Sequence, residues 1–382
     1  MSPGKGSDRV TAVGLMSGTS MDGVDAAVIR TDGESVVEVG AALTIPYRSG
    51  LRQKLQRLVM GGGEDRDGAR TVGREITLVH IDAVHRLLAG AGMSAADVDV
   101  LGFHGHTIRH APVERITVQI GDPFLLAQRT GITVVGHFRD ADVAAGGQGA
   151  PLVPLYHAAR ATDLEKPLAI LNIGGVANIT WLGDVTNATW IAEDGTICAF
   201  DCGPGNALID DFVAARTGRP YDASGTLGLA GTVNPEVLQR LLDHPFFDLP
   251  PPKSLDRNAF DLSPVDRLST ADGAATLAAF TVTAAVRSIL RMGSPKRLLV
   301  SGGGRLNRAL IAGLASGLEG TEVAPVEAVG WRGDALEAEA FGYLAVRSLK
   351  GLPLSVPSTT GVPEPMCGGV RYEAANRATV AS

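Results

Sequence analysis

The chain has 382 residues, 45% of them apolar and 20% charged, and a formal net charge of −7. That length suggests two domains rather than one core, and the composition is that of a folded protein, not a disordered one. Acidic and basic residues are mixed without a basic block, so no nucleic-acid partner is expected, and apolar stretches fall short of the roughly 20 residues that span a bilayer. Residues 1–8 contain no apolar signal segment and read as a frayed tail. Cys198, Cys202 and Cys367 are the only cysteines and form no paired framework. An odd, sparse set fits a reducing compartment, so the expectation is a cytoplasmic protein without membrane contact.

Strand-like apolar runs open the chain at 10–17, 24–30 and 36–45, the first two joined by a glycine-bracketed turn that suggests a hairpin. Helical spacing follows in Leu51, Leu55 and Leu58, and again from Ile76 to Leu88. Short strands are expected at 98–103, 116–120 and 132–135. The pattern then restarts with strands at 168–173, 176–182 and 197–200 and helices at 207–216, 235–242 and 271–290. A strand at 297–300, a helix beginning near Leu306 and a last helix at 335–349 complete it. Two copies of three strands followed by alternating helices and strands predict an α/β chain of two similar lobes with a cleft between them. The main boundary is expected near Arg129, and Pro250-Pro251-Pro252 reads as a rigid loop or insertion inside the second lobe.

Three glycine-rich turns follow strands: Gly18-Thr19-Ser20-Met21-Asp22-Gly23, Asn172-Ile173-Gly174-Gly175, and Ser301-Gly302-Gly303-Gly304. Glycine lets backbone N–H groups approach phosphate oxygens, and a glycine run that opens a helix adds the positive end of the helix dipole. Singly, each is better explained by an ordinary hairpin or loop, and it is the three together that point to a nucleotide clamp. No P-loop, dinucleotide fingerprint, nucleophile elbow or zincin motif is present. Asp22 stands in the first turn and Asp25 just beyond it, where a carboxylate could hold Mg²⁺ through water or merely favour the turn. Asp201 ends an apolar strand and precedes Cys202-Gly203-Pro204-Gly205-Asn206, the position of a crevice-facing acid or of a simple turn aspartate. His104, His106 and His110 lie close together but lack the further ligands of a zinc site, and read as a ligand-contacting loop or a strand end.

The stretches Gly14 to Asp25, Gly146 to Pro154, Asn172 to Thr180, Phe200 to Ala207, Pro250 to Ser254, Ser301 to Gly304 and Glu337 to Phe341, taken in order, resemble the anhydro-N-acetylmuramic acid kinase family. The resemblance implies a two-lobed actin-like (ribonuclease H-like) α/β fold of duplicated βββαβα domains around a central nucleotide cleft. Lobe I would be 8–128, completed by 334–375, and lobe II 129–333. It implies ATP and Mg²⁺, a homodimer, and a reaction that opens the 1,6-anhydro bridge of the sugar while phosphorylating its 6-oxygen. Asp201 would be the catalytic base. Gly18, Thr19, Ser20, Met21, Asp22, Gly23, Val24 and Asp25, with Gly174, Gly175, Gly302, Gly303 and Gly304, would bind ATP, and Asp22 would hold the metal through water. Arg139, Gln148, Asn172 and Glu337 would touch the sugar. The family usually reads His-Gly-Gln-Thr where this chain has His104-Gly105-His106-Thr107, and often has an arginine-rich stretch where Phe138 to Asp142 stand. Two other readings stay open: a kinase for another amino sugar, and a nucleotide-binding regulator without sugar chemistry.

Overall fold

The computed structural model describes residues 9–18, 20–61, 65–183, 197–256 and 259–374, so the expected N-terminal tail lies outside the described residues. The chain divides into two compact units, one of 1–162, 334–357 and 362–382, the other of 163–333 with 358–361. In chain order the strands are β1 (Val10–Ser17), β2 (Gly23–Thr31), β3 (Val37–Pro46), β4 (Val100–Ala111), β5 (Ile116–Ile120), β6 (Val134–Gly136), β7 (Leu168–Ile173), β8 (Val176–Leu182), β9 (Ile197–Pro204), β10 (Arg297–Ser301), β11 (Glu322–Pro325) and β12 (Val370–Tyr372).

In the first unit the sheet order is β12-β6-β4-β1-β2-β3, with β5 also paired to β4. β1, β2 and β3 form an antiparallel meander, whereas β4 joins β1 and β6 joins β4 in parallel. The long helix Arg66–Gly90 starts where the Asp65 carboxylate accepts from the Gly68 N–H at 2.8 Å. It buries Ile76, Ile81, Val84 and Leu87 against Val13, Leu15, Val24, Ala26, Leu101 and Phe103 on one sheet face. Helix Leu336–Leu349 covers the other face at very short range. A Cβ on Gly14 would come within 1.7 Å of the Ala338 carbonyl oxygen, and one on Gly102 within 2.0 Å of that of Phe341, so only glycine permits this approach.

The second unit repeats the order. Its sheet runs β11-β10-β7-β8-β9, with β7, β8 and β9 antiparallel and β10 and β11 added in parallel. Helix Thr270–Met292, capped by Ser269, packs Leu277, Phe280, Ala285 and Ile289 into a core with Leu171, Ile173, Phe200 and Cys202. The expected duplicated α/β fold is therefore present as two sheets with one strand order.

Several expectations change. The division falls after Thr162, not near Arg129, because β6 pairs with β4 and carries the chain past 129 within the first sheet. Helix Thr270–Met292 is in fact long and apolar enough to cross a membrane, but 67% of its most apolar window is buried, as a core helix requires. β9 runs on through Gly203 and Pro204, whose turn-like composition is overridden by pairing of Pro204 with Val176. β4 likewise continues to Ala111, so His104, His106 and His110 are strand residues and not a loop.

Candidate active site

In the second unit β7 and β10 run parallel with Ser301 opposite Asn172, which delivers two polar side chains to the same sheet edge. Their Oγ and Oδ1 atoms are 3.5 Å apart. The Gly174-Gly175 hairpin is stapled to the end of β9: Gly205 N donates to the Gly175 carbonyl at 3.0 Å and Asn206 N to that of Gly174 at 2.7 Å. The Asn206 side chain adds a bond from Nδ2 to the Ile173 carbonyl at 3.0 Å. Gly302 has φ +71°, and a Cβ there would lie 2.5 Å from Asn172 Oδ1 and 2.6 Å from the Ile173 carbonyl oxygen. Asn172, Gly174, Gly175 and Gly302 thus form one polar, small-residue edge. Gly303 instead begins a short 3₁₀ turn, Gly303–Leu306; the following α-helix starts at Arg308 under the Asn307 cap. The third turn therefore does not open a long helix, and the dipole expected there is not supplied.

Asp201 lies inside β9, three residues before its end, and faces away from its core-directed neighbours Phe200 and Cys202. The segment after Pro252 runs along the strand: Asp201 N donates to the Lys253 carbonyl at 3.0 Å, and Leu255 N donates to Asp201 Oδ2 at 2.8 Å. Among the described residues Oδ1 accepts no hydrogen bond. Burial pushes the carboxyl up to about 7, against the Leu255 N–H and the Lys253 charge, which favour ionisation. Lys253 is itself buried, with Nζ donating to the Phe246 carbonyl at 2.8 Å and sitting 4.2 Å from that ring's centroid.

In the first unit the turn after β1 closes by Met21 N donating to the Gly18 carbonyl at 3.0 Å, with Met21 at φ 52°. Gly18 itself has no positive φ, and a Cβ there would meet only Ser20 Oγ, at 3.6 Å. Thr19 lies outside the described residues. Ser20 Oγ donates to the exposed Asp22 carboxylate at 2.8 Å. Gly23 and Val24 are buried at the start of β2, with the Val24 side chain packed in the core of the first unit. Asp25 accepts from the Thr44 hydroxyl at 2.5 Å, and burial, followed by the charges of Asp22, Glu337 and Asp334, raises it to about 6.

Arg139 gathers the remaining groups. Its Nε and Nη2 donate to His104 Nε2 at 3.1 and 3.0 Å, and its Nη1 to the Gly149 carbonyl at 2.6 Å. Its charge offsets the burial that raises the Glu337 carboxyl. Gln148 lies beside His110 in the same neighbourhood. Arg139, Gln148 and Glu337 thus belong to the first unit, and Asn172 and Asp201 to the second. Sequence reading passed over His104 as the partner of Arg139, and Asn206 and the 253–255 segment as the neighbours that hold the second-unit site. The segment, Lys253-Ser254-Leu255 after three prolines, has no strand-like composition that would signal its bonding to β9.

A profile of the anhydro-N-acetylmuramic acid kinase family matches residues 10–374. The anhydro-N-acetylmuramic acid kinase of Paramagnetospirillum magneticum is 53% identical over 94% of this chain and 98% of its own length. That of Rhodospirillum rubrum is 52% identical over 96% and 95% respectively, and that of Rhizorhabdus wittichii 49% identical over 95% and 99%. With a match over nearly its whole length and relatives at about half identity, the chain belongs to the anhydro-N-acetylmuramic acid kinase family and is a kinase.

Proposed function

We propose that the chain is an ATP-dependent kinase that hydrolytically opens the 1,6-anhydro bridge of 1,6-anhydro-N-acetylmuramic acid and phosphorylates its 6-oxygen. The products are N-acetylmuramic acid 6-phosphate and ADP, in recycling of cell-wall sugar in the cytoplasm. The observation that carries this reading is Asp201: a carboxyl raised to about 7, with Oδ2 held by the Leu255 N–H and Oδ1 unbonded among the described residues. A base poised near the working pH takes a proton efficiently. Oδ1 would accept the proton of a water whose oxygen bonds to the anomeric carbon. The bond from that carbon to the 6-oxygen breaks, and the 6-oxygen takes the γ-phosphoryl group as the bond to the β-phosphate oxygen opens.

Backbone groups of Gly18–Asp25 in the first unit, and of Gly174, Gly175 and Gly302–Gly304 in the second, would bind ATP phosphates and nucleoside. Arg139, Gln148, Glu337 and Asn172 would bind the sugar. The donor set fits Mg²⁺: Asp22 is an exposed carboxylate on the turn, and burial with nearby acids raises Asp25 to about 6, a cost of its charge that a cation would offset. Bound there, the ion would neutralise charge developing on the phosphates. The family relationship also supports a homodimer.

Product analysis from ATP and the anhydro-sugar in oxygen-18 water tests the reaction. The expected product carries one phosphoryl group and one added water. A phosphosugar that keeps its bridge would overturn bridge opening, and ADP or bound ATP without phosphosugar would favour a regulator. Preferential phosphorylation of a free amino sugar would favour another substrate.

A further inference from the structure

The loop that carries Gln148 is held on both sides by one buried acid. Asp142 lies in the short helix Asp140–Ala144 and is 2% exposed. Its main-chain carbonyl accepts from Gly147 N at 2.9 Å, and its Oδ1 accepts from Gly149 N at 2.6 Å. Gln148 stands between those two donors, so a single residue brackets its backbone. The fit is close. A Cβ on Gly147 would lie 2.2 Å from Asp142 Oδ1, and one on Gly149, which has φ +66°, would lie 2.4 Å from Val143 Cγ2. Arg139 adds a third hold through its bond to the Gly149 carbonyl.

The other carboxyl oxygen is committed elsewhere. Asp142 Oδ2 accepts from the hydroxyl of Ser355, which is 1% exposed. Ser355 lies in the segment that follows helix Leu336–Leu349, the helix that carries Glu337. That segment is paired with Met366: Leu354 N donates to the Met366 carbonyl at 2.7 Å, and Met366 N to that of Ser355 at 2.9 Å. The two oxygens of Asp142 therefore tie the Gln148 loop to the chain leading out of the Glu337 helix. A side chain that recognises a ligand has to be held within about 0.5 Å of its productive place by the groups behind it. Bracketing from one buried residue supplies that hold.

Resting on the reading of Gln148 as a sugar contact, we propose that Asp142 is a positioning residue for sugar recognition, which brackets Gln148 and, through Ser355, keys its loop to the C-terminal segment. Its effect falls on the sugar and not on ATP, because the segments it joins contain none of the phosphate turns. Asparagine at 142 would preserve the bracket: its Oδ1 still accepts from Gly149 N, and the Ser355 hydroxyl can accept from the amide in turn. Alanine would abolish it.

Steady-state kinetics of the full chain with ATP and the anhydro-sugar, run as a double-mutant cycle, tests this. Gln148→Ala and Asp142→Ala should each raise the KM for the sugar roughly tenfold, the scale of one lost buried hydrogen bond, and leave that for ATP within about twofold. In the double variant the two losses should not multiply, because Asp142 acts through Gln148. Asp142→Asn should recover most of the loss. Losses that multiply, an Asn variant as poor as the Ala variant, or an equal rise in the KM for ATP overturns the proposal. Gly147→Ala makes the same test with the acid in place, since its Cβ would force Asp142 Oδ1 off its bond to Gly149. A parental sugar KM in that variant overturns the bracket even if Asp142→Ala does not fold. If Gln148→Ala alone leaves the sugar KM unchanged, Gln148 is not a sugar contact and the positioning role falls with that reading. If Gln148→Ala raises it and Asp142→Ala does not, only the positioning role is wrong.

Discussion

β3 and β9 occupy the same place in their sheets, each the third strand of an antiparallel meander and each at a sheet edge, yet they differ in what they carry. β3 alternates between half-buried and exposed residues, with Leu43 and Ile45 packed on the core and Glu38, Val39 and Thr44 facing water. No described segment pairs with its outer edge. β9 is buried along most of its length, and its edge is taken up by the 253–255 segment through the two bonds at Asp201. The covered edge is the one that holds an acid whose pKa has to differ from that of a solvated carboxylate. Covering supplies both the desolvation that raises the carboxyl and the N–H that fixes one of its oxygens. The open edge needs neither, and it protects itself with charge and a terminal proline, Pro46.

The largest expected break in this comparison is Asp201→Asn. The amide keeps the shape and still accepts from Leu255 N–H but takes no proton, so the turnover number should fall by roughly 10²- to 10⁴-fold. ATP-induced thermal stabilisation should survive. A folded variant turning over at near-parental rate would falsify the role of general base.

Phe200→Ala comes next. Phe200 is 2% exposed beside Asp201, and its loss should cost about 3–5 kcal/mol of stability in denaturant unfolding. A cost below about 1 kcal/mol would mean that β9 is not packed as described. Gly302→Ala should cost about 1–3 kcal/mol and weaken ATP binding, because the residue would meet both a positive φ and the Asn172 side chain. Unchanged stability and ATP affinity would remove Gly302 from the site.

A smaller effect is one of pH. The folded pKa of Asp201 is raised from 3.8 to about 7, so its proton favours the folded state. That contribution is complete below about 4 and is lost as pH rises through about 7. The Asn variant cannot ionise, so its melting temperature relative to the parent should be higher at pH 8 than at pH 5. A difference that stays constant over that interval would mean the carboxyl is not desolvated. On the open edge, Val39→Thr should shift stability by no more than about 0.5 kcal/mol, although Val39 lies in the equivalent strand. A loss on the scale of Phe200→Ala would show that β3 is covered in solution.

Much of this was legible in the residues. β1, β5, β7 and β8 begin and end where apolar runs meet glycine, proline or charge, because local composition and burial agree there. β11 and β12 are short edge strands made by pairing with β10 and β6, and residues such as Val370-Arg371-Tyr372 carry no signal of their own. The boundary was misplaced because β6 is only three residues long and its membership depends on pairing with distant Leu101 and Gly102. At the site, Asp201 and the glycine turns stand out by type and spacing. Leu255, which holds Asp201 through its backbone, and His104, which accepts from Arg139, are brought in by tertiary contact, and a residue's identity says little about a bond its main chain makes.

The close seat of helix Leu336–Leu349 on Gly14 and Gly102 has a consequence for synthesis. The first unit opens the chain, yet the helix that seals one face of its sheet emerges only after 163–333 has been made. At about 5–20 residues per second, the early strands wait roughly 10–40 s for that cover. The nearly continuous second unit can fold meanwhile. On the ribosome the order of completion is therefore the reverse of the order of translation, and the nascent β1–β4 face, not the second unit, is the surface that a chaperone would have to shield.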